Sequence, residues 1–481
     1  MTAGLTNNYS ATRFAMPPTV ADDLPSIIVP ILNQIQGLSP CRSTRLPAVL
    51  EYNPRRMGGH IMRGCRFTQI LVCFASIAAI QLVGTTSPGT ELAETWPQWR
   101  GPTRDGLVRG TTWPTSLSEE HFRPVWHVDL GAGYPGPIVT TDRVFVAETK
   151  DEKLEVVRAL DRQTGRQLWS AEWPGAMSVP FMAKRNGDWI RSTPACDGQA
   201  LYVAGMRDML VCLDAGTGAE RWRVDFVEQF KSPLPAFGFV CSPLVVGDHV
   251  FVQAAAGFCK VDKRTGKVLW RILEDGGGMF GSAFSSPVLA TLCGQEQLLV
   301  QTRQTLVGVV PESGQVLWSR EIPAMLGMNI LTPTVHEDTI FTSAYGGGSQ
   351  LLGIKKGDDG IQADTVWKTT MQGYMSTPVV IGGHAYLHLR NQRFTCVNLT
   401  TGKQEWTTQP YGQYWSLVAQ NDRILALDQR GELLLIHAVP EKFDLLDSRK
   451  ISDQETWGHL AVSGEEVFIR ELQGITAYRW K

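Results

Sequence analysis

Asp161–Trp169 reads DRQTGRQLW, and its arrangement returns at Asp214–Trp222 (DAGTGAERW), Asp262–Trp270 (DKRTGKVLW) and Asn398–Trp406 (NLTTGKQEW). The pattern is Asp or Asn, two free positions, Thr-Gly, three free positions and Trp. Near-copies at one spacing mean that one supersecondary unit is used many times. Physically the stretch is a hairpin turn with an anchor. The Asp or Asn side chain can bond its own backbone two residues on. The Gly takes the positive φ that a short hairpin loop requires. The Trp then falls in the returning strand, where its burial removes about 200 Å² from water. A Trp present in every unit reads as a packing anchor between repeats, not as the mark of one active site.

Upstream of each Trp lies a second signature: a small residue and Pro, a β-rich run, a polar turn and another β-rich run. Instances are Gly136-Pro137, Thr193-Pro194, Ser242-Pro243, Ser286-Pro287, Thr332-Pro333 and Thr377-Pro378, with Ser416–Leu427 and Gly458–Ile469 as forms lacking the Pro. Eight units of four short antiparallel strands predict an all-β, eight-bladed β-propeller over residues 123–481. The fourth-strand anchors are Trp169, Trp222, Trp270, Trp318, Trp367 and Trp406, with Phe443–Ser448 (FDLLDS) in the seventh unit. The eighth unit ends at Ile475–Trp480 with three strands. Its missing fourth strand is predicted at Pro124–Leu130 (PVWHVDL), with Trp126 as anchor, so that an N-terminal strand pairs with the C-terminal blade. Such closure hides two sheet edges that would otherwise invite aggregation.

The composition agrees. Of 481 residues, 43% are apolar and 19% charged, with 15 Trp and 47 Gly, as a turn-rich β protein with a core requires. A net charge of −2 argues against a nucleic-acid surface. The nine Cys include no C-x-x-C and no adjacent pair. Cys196, Cys212, Cys241, Cys259 and Cys396 lie in apolar runs and read as buried small hydrophobes. No His spacing suits a metal, and no nucleophile, base and orienter assemble from the sequence. Gly276-Gly277-Gly278 and Gly346-Gly347-Gly348 are not phosphate loops, lacking the Lys-Ser/Thr and helix that follow one.

Ahead of the repeats, residues 1–61 are Pro-rich and aperiodic, and read as a disordered or untranslated extension. Residues 62–90 carry Arg63 and Arg66 before an uncharged, mostly apolar run from Ile70 to Val83, the layout of a signal peptide or a single membrane anchor. Export to the periplasm or cell envelope follows. Residues 91–122, containing WPQWRGP at Trp96–Pro102, read as an ordered arm lying against the body.

The A-x-D-x-x-T-G-x-x-x-W form, closest at Ala159–Trp169, resembles the tryptophan-docking repeat of pyrroloquinoline quinone (PQQ)-like propellers. One branch of that family contains quinone-dependent dehydrogenases, with a Cys-Cys disulfide, calcium-binding carboxylates and an Asp base. This chain has no Cys-Cys pair and no carboxylate that matches those roles. The other branch is non-enzymatic, and includes the propeller lipoprotein of the outer-membrane barrel-assembly machinery. The chain looks like that branch in size and blade number. Exported repeat proteins of environmental bacteria share the WPQWRGP-like opening. The resemblance implies a monomeric, non-enzymatic scaffold with neither PQQ nor calcium as cofactor, no nucleic acid, and a protein or cell-envelope component as partner. Residues 62–90 would supply any membrane association. A PQQ-dependent dehydrogenase and a glycan-binding propeller are the alternatives.

Ligand sites in propellers sit where the inner strands open onto the central channel. The residues just before the small-Pro pairs should stand there: Tyr134, Arg191, Phe239, Phe284, Asn329, Tyr374, Tyr414, Trp415 and Trp457. This set predicts an aromatic mouth with one clear charge, for a peptide, a glycan or a planar ligand. The longest insertion between blades, Pro174–Arg191, carries Lys184, Arg185, Asp188 and Trp189 on a rigid scaffold.

Overall fold

The computed structural model describes residues 95–481, apart from residues 111, 278–280 and 282 and the side chains of residues 182 and 185. The readings of residues 1–61 and 62–90 lie outside the described residues. No helix among the described residues is long and apolar enough to cross a membrane.

Eight four-stranded antiparallel sheets form the ring. Blades one to seven span residues 138–174, 195–225, 244–272, 288–321, 334–369, 379–410 and 415–450. Their strands, A to D in chain order, run outward from the channel, and neighbouring A strands touch. Blade eight takes strands A to C from residues 461–480 and strand D from Phe122–Asp129, with Phe122 opposite Trp480 and Asp129 opposite Gly474. The expected closure by Pro124–Leu130 is therefore present and begins two residues earlier. Because strands alternate in direction, the A–B and C–D turns lie on one face of the ring. The D–A connections lie on the other.

Each Thr-Gly turn behaves as its residues dictate. The Asp161 carboxylate accepts from the Thr164 N–H at 2.9 Å and the Thr164 hydroxyl at 2.7 Å. Asp214 and Asp262 repeat this with Thr217 and Thr265. The anchor Trp then crosses to the next blade. Trp126 Nε1 donates to the Arg162 carbonyl at 2.9 Å, Trp222 to Lys263 at 2.9 Å, Trp367 to Leu399 at 2.6 Å and Trp406 to Val439 at 3.0 Å. Trp169 and Trp270 do the same with Ala215 and Glu312. Within its own blade each of these rings packs on a strand-B aromatic, as Trp169 does on Phe145 at 5.8 Å and Trp406 on Tyr386 at 6.0 Å.

Trp318 departs from the expected docking role. In blade four the row across strands B, C and D reads Leu299, Gly308, Trp318, where other blades place an aromatic first. In blade five, strands C and D run on for ten residues each to a Gly357–Gly360 connection, which carries the turn farther along the strands than in other blades. The ring therefore lies over Gly308 and donates to Gln297 Oε1 of its own blade at 2.6 Å. The Cys reading holds: Cys196, Cys212, Cys241, Cys259 and Cys396 are buried free thiols.

The arm of residues 95–121 is a plug, not a surface strap. Trp96 pairs with Val139 of blade one, and the Pro97 carbonyl accepts from the Cys196 N–H of blade two at 2.8 Å. Gly106 and Val108 bracket Ala419 of blade seven. Between these contacts Arg100 and Arg104 enter the channel, both nearly fully buried and both with left-handed backbone, φ 61° and 59°. Such a conformation costs a non-Gly residue about 1–2 kcal/mol. Further on, Trp113 stacks on Trp480 at 6.2 Å, and Asp447 accepts from the Leu117 N–H at 2.6 Å. The arm thus covers the seam where blade seven has no Trp and blade eight has no C–D turn.

Candidate functional site: the channel mouth

The small-Pro signature builds the channel wall. The N–H of Gly136 donates to the Thr193 hydroxyl of the next blade at 2.9 Å, Ser242 to Ser286 at 2.9 Å, Ser286 to Thr332 at 3.2 Å, and Thr332 to Thr377 at 3.2 Å. At Thr193, Ser286, Thr332 and Thr377 the position supplies a hydroxyl as well as small size, and that hydroxyl stitches successive A strands together. The following Pro has no N–H to leave unpaired. The carbonyls of these pairs face the channel, where no further strand can take them.

The arm takes them instead. Arg100 Nη1 donates to the Thr377 carbonyl at 2.8 Å, and Nη2 to Pro378 at 2.6 Å. Arg104 Nη1 donates to Pro287 at 2.8 Å, while its Nη2 reaches the carbonyls of Ser242 and Pro243. Two guanidiniums thereby satisfy carbonyls of blades three, four and six. Burial pushes Arg100 down to about 10, partly countered by Asp105, and Arg104 down to about 9. Both stay charged at neutral pH.

Above this floor lies a hollow, open toward the D–A face. Of the expected mouth residues, Tyr134, Arg191, Phe284, Tyr414, Trp415 and Trp457 line it. Tyr374 stands outside the lining but continues its ring array, 5.9 Å from Tyr414. Phe239 is only 2% exposed and packs edge-on against Phe226, so the core between blades two and three takes it from the mouth. Asn329 is likewise buried, its amide held by the Arg303 and Ile322 carbonyls.

The rings form an arc. Tyr134 meets Trp457 at 5.2 Å, and Trp457 meets Tyr414 at 4.2 Å. The Arg191 guanidinium lies 5.5 Å from the Tyr134 ring, and its Nη2 is held by the Gly187 carbonyl at 2.7 Å. The insertion 174–191 delivers both Arg191 and the Asn186 carbonyl that accepts the Tyr134 hydroxyl. Burial above all pushes that phenol up to about 12. Asp188 spends its carboxylate inside the insertion, on the Val179 N–H at 2.9 Å and the Ser178 hydroxyl at 3.0 Å.

The wall also holds residues beyond the expected set, among them Trp99, Val240, Ile330, Met375 and His459. Trp99 comes from the arm and meets His459 edge-on at 5.8 Å. Burial pushes His459 down to about 3, with Arg100 adding to the effect, so the imidazole is neutral at physiological pH. Trp99 has no local signal, since only the arm's path brings it here.

A second, small hollow lies beside Asp208 and Asp275, between blades two and three. Asp208 is 2% exposed and accepts from the Ala255 N–H at 2.8 Å. Burial pushes its carboxyl up to about 7.

The family's quinone and calcium can be tested against these walls. Calcium takes carboxylate and carbonyl oxygens. The mouth cavity is lined by no Asp or Glu among the described residues. No described group of three His, Cys, Asp or Glu is placed to hold a metal. The described residues of the mouth therefore do not supply the carboxylates that calcium takes.

A family model described as outer membrane protein assembly factor BamB matches residues 153–408. The outer membrane protein assembly factor BamB of Yersinia pestis is 22% identical over 314 residues, spanning 61% of this chain and 73% of that protein. Among solved structures, BamB from Moraxella catarrhalis superposes with a TM-score of 0.53 at 16% identity, covering 75% of this chain and 98% of that one. A europium-containing methanol dehydrogenase gives 0.60 at 12% identity, covering 81% and 99%. At such identities both structures speak for the fold alone. The repeat architecture and the family match agree: the chain belongs to the BamB family of PQQ-like repeat propellers.

Proposed function

We propose that this chain is an exported, non-enzymatic propeller that acts as a protein-binding scaffold in the cell envelope. The family match over residues 153–408 carries the reading. The relatives' name, outer membrane protein assembly factor, supports both the envelope location and a protein partner.

The chemistry of the channel supports the non-enzymatic half. The arm's two arginines are spent on main-chain carbonyls. The His459 imidazole commits Nδ1 to the Leu460 carbonyl at 3.0 Å, and its depressed basicity makes it a poor proton acceptor. We therefore propose that the protein works without PQQ or calcium. Affinity purification from the native envelope after in-cell cross-linking tests the reading. Co-purification of an outer-membrane assembly protein is expected. Dye-coupled alcohol oxidation by the purified protein on adding PQQ and calcium would refute it.

A further inference from the structure

Among the described residues, two of the mouth's three buried, unpartnered side-chain atoms are donors; the third, His459 Nε2, is the ring nitrogen left bare by the Nδ1–Leu460 bond. Trp457 Nε1 and Arg191 Nε are buried and have no partner. The hydroxyls of Thr193, Ser286, Thr332 and Thr377 each accept a main-chain N–H, so each keeps its own O–H to give. The same four residues line the cavity, which is lined by no carboxylate among the described residues. An unpaired buried donor is destabilising, and the loss is recovered when an acceptor arrives. The complement to such a wall is a ligand rich in acceptors and negative in charge.

The rings add a second requirement. Tyr134, Trp457 and Tyr414 succeed one another at 5.2 and 4.2 Å around the rim. Aromatic faces are electronegative and their edges positive, so they attract flat surfaces that carry polarised C–H groups. The C–H face of a pyranose is such a surface, and a short chain of pyranoses would follow the arc. A peptide strand suits the wall less well. It repeats same-face side chains about 6.8 Å apart, and it brings one N–H for every carbonyl. Those N–H groups would meet donors.

We propose that the channel mouth binds an anionic oligosaccharide, its sugar faces on Tyr134, Trp457 and Tyr414 and its acid groups on Arg191, the Trp457 N–H and the wall hydroxyls. This goes beyond the scaffold reading and does not rest on it, since a partner protein could dock elsewhere on the ring.

Titration calorimetry of the full-length protein tests it with three probes: a galacturonic acid hexamer, a sulfated heparin-derived hexasaccharide and neutral cellohexaose. Saturable binding of at least one acidic oligomer is expected, at least tenfold tighter than cellohexaose and weakening as salt is raised. The two acidic probes tell carboxylate from sulfate. Trp457→Ala should weaken that binding at least tenfold, and Trp457→Phe by less. Arg191→Gln should narrow the gap between acidic and neutral oligomers. Equal binding of cellohexaose, or no saturable binding of either acidic oligomer at millimolar concentration, overturns the proposal using the unmodified protein alone.

Discussion

A β-carbon on Gly266 would stand 2.7 Å from the ring of Trp222, which reaches over from the preceding blade. Gly266 also has φ +74°, a conformation that costs other L-residues about 1–2 kcal/mol. The repeat's Gly therefore answers two demands, the turn of its own blade and the anchor of the one before. Gly266→Ala should destabilise the protein by about 2–4 kcal/mol, because the docked ring must move as well. Gly247 has φ +54° with open space around its Cβ position, so Gly247→Ala should cost only about 1 kcal/mol. Urea midpoints of the two variants check the difference.

Arg104 ties blades three and four together through carbonyls that nothing else can reach. Arg104→Met should cost about 2–4 kcal/mol, because it leaves buried carbonyls unpaired while relieving the burial of a charge. Arg104→Lys should recover little, since one ammonium cannot span the fork's partners. Thermal unfolding checks both. Trimming to Ser118 already removes Trp96, Arg100, Arg104, Trp113 and Leu117, all buried, and should be severe even before the closing strand is cut.

Trp318 and Gln297 form a pair inside one blade. Trp318→Phe leaves Gln297 Oε1 without its donor in a fully buried site and should cost about 1–3 kcal/mol. Adding Gln297→Leu should restore part of that loss, because the orphaned amide goes with it. A double-mutant cycle in urea measures the coupling, and additive losses would contradict the pairing.

Asp208 gives a pH dependence of definite sign. Its folded pKa of about 7 lies above the unfolded value of 3.8, so the folded state binds more protons between those values. Stability should fall as pH rises from about 4 to 7 and level off above. Asp208→Asn, which keeps an acceptor for the Ala255 N–H, should remove this slope and be more stable than the parent at pH 8. The gain has an upper bound of about 4 kcal/mol. His459 acts in the opposite direction. Its folded pKa of about 3 lies below the unfolded 6.5, so its contribution is lost as pH falls between them. Unfolding curves from pH 4 to 8 for Asp208→Asn and the parent separate the two.

What the sequence revealed followed from periodicity. Turn, anchor and closing strand are local patterns repeated often enough to be aligned on one another, so even the displaced PVWHVDL was recognisable. Trp318 was expected to dock like the other anchors although its own copy, ESGQVLW at Glu312–Trp318, is a decayed form of the repeat. The missing cue lay in the next blade, whose longer strands C and D end in the Gly357–Gly360 connection, and in strand B, where Leu299 replaces an aromatic. The Ser or Thr before Pro was read for its size, although its hydroxyl carries the contact between blades. The arm has no period at all. Arg100 and Arg104 bond carbonyls 138 to 278 residues away, and no spacing in the chain announces such partners. The mouth was legible as a set of aromatics, while Phe239 shows that the position before Pro can turn into the core as readily as into the channel.

The scaffold reading is tested most directly by placing a photo-crosslinking amino acid in living cells at exposed positions around the ring. Suitable sites are Met375 near the mouth and Val366 on an outer strand, 39% and 53% exposed. Adducts with an outer-membrane assembly protein, recovered in the envelope fraction from at least one position, are predicted. No protein adduct from any exposed position, together with quinone-dependent alcohol turnover by the same preparation, would contradict it.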